Sequence, residues 1–396
     1  MNGPRARILV DGGGFEAAQA LIRAGALEAE EATGLVSRAG RTLAAVLASI
    51  EGSPEPTALC RDLTDGEAIA LVRGSSVVVV VDGAARDLLG RRHPGVLAAV
   101  EQARSALGGV PRNLTFNDRV LPLSQRAHYM GIVNVTPDSF SDGGRYLDPD
   151  AAIKQGARLV EEGADLLDIG GESTRPGAEP VDEAEEIKRV VPVIEGLTAV
   201  VDVPISIDTM KASVAAAALD AGASIVNDVS AGRFDPTILP LAAECGVPLI
   251  LMHMLGEPRT MQADPRYDDV VGEVWRFLAE RADAAVSAGV SPQRILVDPG
   301  FGFGKTREHN LVLLKRLREF TCLGYPVLVG TSRKSFIGTT LDLPVGERVE
   351  GTAATVALAV SHGAAILRVH EVGPMRRVGS MVEAVVRVNE TRGSQG

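Results

Sequence analysis

Asn134, Asp168, Asp208, Asn227, His253, Asp298, the run Ser332-Arg333-Lys334, and the pair Arg368 and His370 share one feature: each lies at or near the end of a short apolar run. Carboxylates, carboxamides and imidazoles hydrogen-bond a polar ligand. Arginine and lysine supply local positive charge for an anionic small molecule, even in a chain whose formal net charge is -11. Two stretches rich in glycine, hydroxyls and acids continue from such runs. They are Met130-Gly-Ile-Val-Asn-Val-Thr-Pro-Asp-Ser-Phe-Ser-Asp-Gly-Gly144 and Asp168-Ile-Gly-Gly-Glu-Ser-Thr-Arg-Pro-Gly177.

The elements that must position these groups are short strands alternating with longer helices. The runs are His128–Asn134, Leu166–Ile169, Pro204–Asp208, Ile225–Asp228, Pro248–Met252, Ile295–Asp298, Val327–Gly330 and Ile366–Val369. Between them lie helix-like stretches such as Glu183–Leu197, Ala212–Ala221, Asp268–Ala288 and Gly351–His362. Eight such alternations over about 265 residues predict a closed (β/α)8 barrel, the TIM fold, better than an open doubly wound sheet. In a barrel the C-terminal strand ends meet at one mouth, so the dispersed polar groups would converge there.

Residues 1–107 break this rhythm and read as a small N-terminal α/β module. Arg7–Val10 and Val77–Val81 look like strands, and Phe15–Gly25 and Leu43–Ile50 look helical. Residues 108–124, with Pro111 and Pro122, read as a linker, residues 125–390 as the barrel and 391–396 as a tail. Asp11-Gly12-Gly13-Gly14 suits either an anion-binding turn or a plain tight turn.

The acidic balance argues against nucleic acid as a partner, because phosphate binding calls for a basic face. Cys60, Cys245 and Cys322 are odd in number and far apart, which favours neither a disulfide framework nor a zinc site. No window approaches a membrane span, and the N-terminus lacks the pattern of a secretory signal. The expectation is a cytoplasmic protein acting on small molecules.

The two loop stretches, followed in order by Ser206-Ile-Asp-Thr209, Ile225-Val-Asn-Asp228, Leu251-Met-His-Met254, Asp298-Pro-Gly-Phe-Gly-Phe-Gly-Lys305, Gly330-Thr-Ser-Arg-Lys-Ser335 and Arg368-Val-His370, resemble the dihydropteroate synthases, a family of pterin-binding TIM barrels. The resemblance covers roughly residues 123–390 and resides in the ordered set of blocks, each of which is weak alone.

The resemblance implies a transferase of folate biosynthesis that joins a dihydropterin pyrophosphate to p-aminobenzoate by an SN1-like substitution. It implies that Asp298, Asn227 and Asp208 bind the pterin edge, that Lys334 reaches its carbonyl oxygen and N5, and that Val229 and Met252 pack on the ring faces. Such a split suits a flat ring, since leaving its edge groups unpaired is costly. Asn134, Thr174, Arg368 and His370 would hold the pyrophosphate, and Asn134, joined by Asp142 or by that residue's ordering of the loop, would bind Mg2+. Phe140, Pro176 and Phe303 would wall the p-aminobenzoate slot, with Thr174, Arg175 and Ser335 at its polar end. Asp138 would stabilise the pterin cation, and catalysis would fall to Asp138, Lys334, Arg368 and His370. A homodimer and a sulfonamide target are further implications.

Taken singly, these residues have simpler readings. A strand-end Asp such as Asp208 serves equally as a helix N-cap, His253 as a structural imidazole, and the glycine-rich loops as surface connections. Two other classes share part of the pattern: a pterin-binding methyltransferase domain, which does not need the two loops or the Arg368/His370 pair, and a non-catalytic pterin-binding paralogue. Glu371 stands where the family commonly has Asp, and Pro374 falls at the start of the last helix.

Overall fold

The computed structural model describes residues 5–12, 45–51, 55–66, 68–73, 76–81, 83–107, 113–116, 119–123, 125–136, 149–173 and 178–388. The chain forms two compact units. One comprises Met1–Val110 with Arg318–Gly324, the other Pro111–Leu317 with Tyr325–Gly396.

The first unit is α/β. Its described elements are β1 (Arg5–Gly12), β2 (Ala45–Glu51), α1 (Pro56–Asp65), β3 (Ile69–Arg73), β4 (Ser76–Val81), α2 (Gly83–Arg92) and α3 (Pro94–Ala106). The strands pair antiparallel in the order β1-β2-β4-β3. Period-two alternation sends Ala6 and Ile8, Ala48 and Ile50, and Val77, Val79 and Val81 into one core with Leu63, Leu89 and Val100. Cys322, from the Arg318–Gly324 segment, joins that core. In β1 and β2 the intervening Arg7 and Ser49 are polar yet buried, whereas in β4 Val78 and Val80 are apolar and buried. Arg7 pairs with Glu51 at 3.1 Å and with Glu319 at 2.7 Å, and Ser49 Oγ donates to Glu51 at 2.7 Å.

The stretch Leu43–Ile50, expected to be helical, is instead part of strand β2 from Ala45 onward. Its Ala, Leu and Ile content is compatible with either period, and pairing on both edges with β1 and β4 decides the matter. Phe15–Gly25 and the glycines 13 and 14 of the suggested anion turn lie outside the described residues.

The second unit is a (β/α)8 TIM barrel. It opens with a hairpin of β5 (Asn113–Phe116) and β6 (Arg119–Pro122), within the stretch expected to be a linker. The barrel strands are β7 (His128–Asn134), β8 (Leu166–Gly170), β9 (Ile205–Asp208), β10 (Ile225–Asp228), β11 (Leu249–Met252), β12 (Ile295–Asp298), β13 (Leu328–Val329) and β14 (Ile366–Val369). All eight are parallel, in sequential order from β7 to β12 with β14 and β13 on the far side of β7. The bridge Val297–Val327 and the 3.0 Å bond from Val297 N–H to the Pro326 carbonyl join β12 to the start of the β13 segment and close the ring.

The helices of this unit are α4 (Pro149–Glu161), α5 (Glu183–Thr198), α6 (Ala212–Asp220), α7 (Ile238–Cys245), α8 (Val270–Ser287), α9 (Arg307–Lys315), α10 (Ser335–Leu341), α11 (Val349–Ser361) and α12 (Val372–Val386). Near the strand starts, Met130, Leu166, Ile225, Ile250, Leu296, Leu328 and Ile366 form one apolar layer, and Leu114, Phe116 and Leu123 pack into it. The hairpin therefore plugs the end opposite the mouth. Pro374 falls in the first turn of α12, where its missing N–H has no intrahelical partner to lose.

Candidate active site

Strand register assembles the mouth. It sets Asn227 beside Asp208 and Met252 beside Asp298, while Asp168 lies in β8 and Arg368 in β14. Arg368 joins the two sides of the barrel. Its Nε donates to Asp168 Oδ2 at 2.6 Å and its Nη2 to Asp208 Oδ2 at 2.7 Å. Asn227 Nδ2 donates to the same Asp168 oxygen at 3.1 Å. Asp168 is fully buried, and its Oδ1 has no hydrogen-bond partner among the described residues, which leaves an acceptor for a ligand or water.

Asp208 is not a helix cap: Lys211 stands at the N-cap of α6, and Asp235 accepts the Ala212 N–H at 2.8 Å. Burial pushes the Asp208 carboxyl up to about 7, with Arg368 pulling it down and Asp168 pushing it further up. Arg368 is moved above its ordinary range because the two carboxylates outweigh the penalty of burial.

Asp298 ends β12, accepts the Gly300 N–H at 2.7 Å, and is raised by burial against the pull of Lys334. Lys334 is lowered to about 8 by burial, opposed by Asp298 and assisted by Arg368. Its ammonium donates to the Phe301 carbonyl and lies 4.6 Å from the centre of the Phe303 ring. Val229, Met252, Met210, Met254 and Met261 form an apolar cluster, and Phe303 packs against it. Carboxylates, an amide and a lysine thus stand beside a soft apolar surface, an arrangement that fits a flat polar heterocycle.

The turn carrying Lys334 is held by an unusual neighbour. Arg333 has φ +59, a conformation that a side chain with a Cβ seldom adopts. Thr352 Oγ1 accepts its N–H at 3.2 Å, Arg348 donates to its carbonyl at 3.0 Å, and its Nε donates to Glu371 at 2.6 Å. Glu371, the departure noted in the sequence, therefore ties the β14 end to the Lys334 turn. Ser332 adds a second tie: its Oγ accepts the His370 N–H at 3.2 Å and lies 2.9 Å from His370 Nδ1.

Asn134 ends β7 and is partly exposed. Ser335 opens α10. Asp138, Phe140, Asp142, Thr174, Arg175 and Pro176 lie outside the described residues. At the base of the second loop, Lys211 Nζ donates to Glu172, Glu186 and the Val181 carbonyl, each at 2.6 Å, so the flanks of residues 174–177 are joined.

His253 is buried, with Nδ1 2.8 Å from Lys305 Nζ and its ring edge-on to Phe277. That is the structural role the sequence left open. Two participants escaped the residue-by-residue reading. Asp168 was visible as a strand-end acid but had no subsite until Arg368 met it across 200 positions of sequence. Lys305 was visible only as the end of a glycine-rich motif.

The sequence profile of the family described as "Pterin binding enzyme" matches residues 130–370. Dihydropteroate synthase of Synechocystis sp. is 48% identical over 278 residues, covering 70% of this chain and 96% of that protein. The chain belongs to the dihydropteroate synthase family. The Bacillus subtilis member is likewise 48% identical, over 67% of this chain and 91% of its own length. Among solved structures, the Xanthomonas albilineans dihydropteroate synthase with 4-aminobenzoic acid is 49% identical with a TM-score of 0.66, covering 71% of this chain and all of that one. The same protein in complex with 7,8-dihydropteroate gives 47% identity and a TM-score of 0.63, over 70% of this chain and all of that one. Members of the family are transferases, and this chain is an enzyme of that class. The matching profile begins beyond residues 1–110 of the first unit.

Proposed function

We propose that the barrel condenses 6-hydroxymethyl-7,8-dihydropterin pyrophosphate with p-aminobenzoate, releasing pyrophosphate and forming 7,8-dihydropteroate for folate biosynthesis. One observation carries this reading: a hydrogen-bonding wall of Asp208, Asn227 and Asp298 shares a mouth with the cationic groups of Arg368 and Lys334 and with the apolar Val229, Met252 and Phe303. The ligands of the Xanthomonas albilineans relative, 4-aminobenzoic acid and 7,8-dihydropteroate, support it.

In the proposed reaction the bond from the pterin methylene to pyrophosphate breaks, its electron pair leaving with oxygen. Arg368 and His370 stabilise that departing charge, with Thr174 assigned to the same anion by resemblance. Arg368 is preformed for this by Asp168 and Asp208, so little reorganisation is needed when the anion arrives. Lys334 steadies the pterin carbonyl oxygen and N5, and Asp138 the methylene cation. The aniline nitrogen then bonds to the methylene carbon and loses a proton. By resemblance, the p-aminobenzoate slot is assigned to Phe303 with Phe140 and Pro176, and its carboxylate to Ser335, Thr174 and Arg175.

Mg2+ fits the donor set. The Asn134 carboxamide stands at the mouth end of β7, an oxygen donor of the kind that suits an ion which keeps waters and takes substrate phosphate oxygens. Asn134, with Asp142, would hold it, and its chemistry would be neutralisation of the leaving pyrophosphate.

No described helix is long and apolar enough to cross a membrane. The unbridged Cys60, Cys245 and Cys322 support a cytoplasmic location. A homodimer is supported by exposed apolar side chains on neighbouring α11 and α12: Leu358, Met381, Val385 and Val386. Supplying both substrates and magnesium to the folded protein should yield dihydropteroate, detected by chromatography. No product from folded protein would sink the reading.

A further inference from the structure

The loop between β12 and α9 contains a lysine that makes no ion pair with a described carboxylate. Lys305 is 3% exposed. Its Nζ lies 2.8 Å from the Gly300 carbonyl, 3.0 Å from the Phe303 carbonyl, 2.8 Å from His253 Nδ1 and 3.4 Å from the His253 carbonyl. Burial pushes this lysine well below its ordinary range, Asp298 opposing and Lys334 adding to the shift. A buried cation is costly unless its donors are all used. Here an ammonium can direct one N–H to each loop carbonyl and the third to His253 Nδ1.

The backbone is shaped around that nitrogen. Gly300, Gly302 and Gly304 have φ of +69, +81 and +66, so the chain reverses repeatedly. A Cβ on Gly300 would come within 1.9 Å of the His253 carbonyl oxygen, and one on Gly304 within 2.7 Å of that of Leu255. Only glycine lets the loop lie this close to the segment after β11. As a result the Gly300 and Phe303 carbonyls turn to Lys305, while the Phe301 carbonyl takes the ammonium of Lys334. Gly300 also donates its N–H to Asp298 at 2.7 Å. One nitrogen is thus linked, through one or two residues, to Asp298, to Phe303 and to Lys334.

We propose that Lys305 is a positioning residue for the reaction: it gathers the loop carbonyls and the His253 ring about one nitrogen and thereby aims Asp298 at the pterin edge and sets Phe303 against Lys334. Lys305 would act through Asp298, Phe303 and Lys334. The inference rests on the reading of Asp298 as a pterin-edge acceptor, so Asp298→Asn is measured beside it.

The test uses Lys305→Met in the full chain, well below its melting temperature, with kcat and both KM values determined. Methionine keeps an unbranched side chain but supplies no N–H donors. Loss of aim should lower kcat/KM on the order of 10- to 100-fold, with KM rising for the pterin substrate and for p-aminobenzoate. A purely structural lysine would lower the melting temperature and the folded fraction but leave both KM values alone, and that result overturns the proposal. If Lys305→Met yields no folded protein, His253→Phe serves instead. It retains a ring against Phe277 and removes the Nδ1 partner, and it should raise the same two KM values by a smaller factor; unchanged values again overturn the proposal. An unchanged pterin KM in Asp298→Asn defeats the pterin-edge reading and the proposal with it. A raised value there, with unchanged KM values in Lys305→Met, defeats the Lys305 proposal alone.

Discussion

Arg368 at the barrel mouth and Arg7 in the first unit are each held between two carboxylates, and the pairs differ chiefly in what water can reach. The Arg368 side chain is 21% exposed and meets Asp168 and Asp208, whereas Arg7 is 3% exposed and meets Glu51 and Glu319. A sealed triad of this kind cannot receive a ligand without unfolding its surroundings. An arginine at an open rim, already held in place, can present its charge to an incoming anion. The same three groups are therefore structural in one unit and available for chemistry in the other, and exposure separates the two.

That contrast can be broken most forcefully at Arg7. Arg7→Ala removes the guanidinium that meets Glu51 and Glu319 in a buried setting and should destabilise its unit by about 3–5 kcal/mol in denaturant titration. Turnover by molecules still folded should stay near wild type. A stability change within error would mean that the pair is not sealed.

At the mouth the order reverses. Arg368→Ala should lower turnover of the pyrophosphate substrate on the order of 10²- to 10³-fold, the scale of losing a preorganised charge at an oxyanion. Its melting temperature should move less than that of Arg7→Ala, because Asp208, already raised to about 7, can take a proton once its partner is gone. Binding of a free pterin, followed by calorimetry, should fall less than turnover. Equal losses would abolish the division between pterin and anion subsites.

The pH dependence sharpens the picture further. Asp208 is the carboxylate only above about 7, and Lys334 the ammonium only below about 8. In the free enzyme both charged forms coexist best between these values. The kcat/KM profile for the pterin substrate should accordingly be a narrow bell, falling about tenfold per pH unit beyond either limb. Asp208→Asn should shift the acid limb, with Asp298, also raised by burial, governing what is left of it, and Lys334→Arg should carry the basic limb upward. A profile flat from 6 to 9 in the unsubstituted enzyme would contradict these assignments.

Much of the barrel was legible from local pattern. The expected runs His128–Asn134, Ile225–Asp228, Ile295–Asp298 and Ile366–Val369 coincide with strands β7, β10, β12 and β14. Strands buried on both faces are continuous apolar runs, and a polar residue at the end of each marks the mouth. In Leu43–Ile50 alanine and leucine serve both periods, and pairing with two neighbours makes Ala45 onward a strand. Residues 108–124 looked like a connection because a short hairpin with two prolines nearby has little signal of its own; its plug role comes from Leu114 and Phe116 meeting the strand starts.

The amino-acid sequence by itself determined the alternation of strand and helix, the identity of the strand-end groups, and the glycines that permit the loop after β12. These depend on neighbours a few positions apart. The tertiary structure alone decided that Asp168 and Asp208 share Arg368, that Glu371 reaches Arg333, and that Lys305 is ringed by carbonyls and His253. Charge, burial and hydrogen bonding are set by distance in space. Barrel closure brings together residues such as 168 and 368, and no local pattern in the chain encodes that meeting.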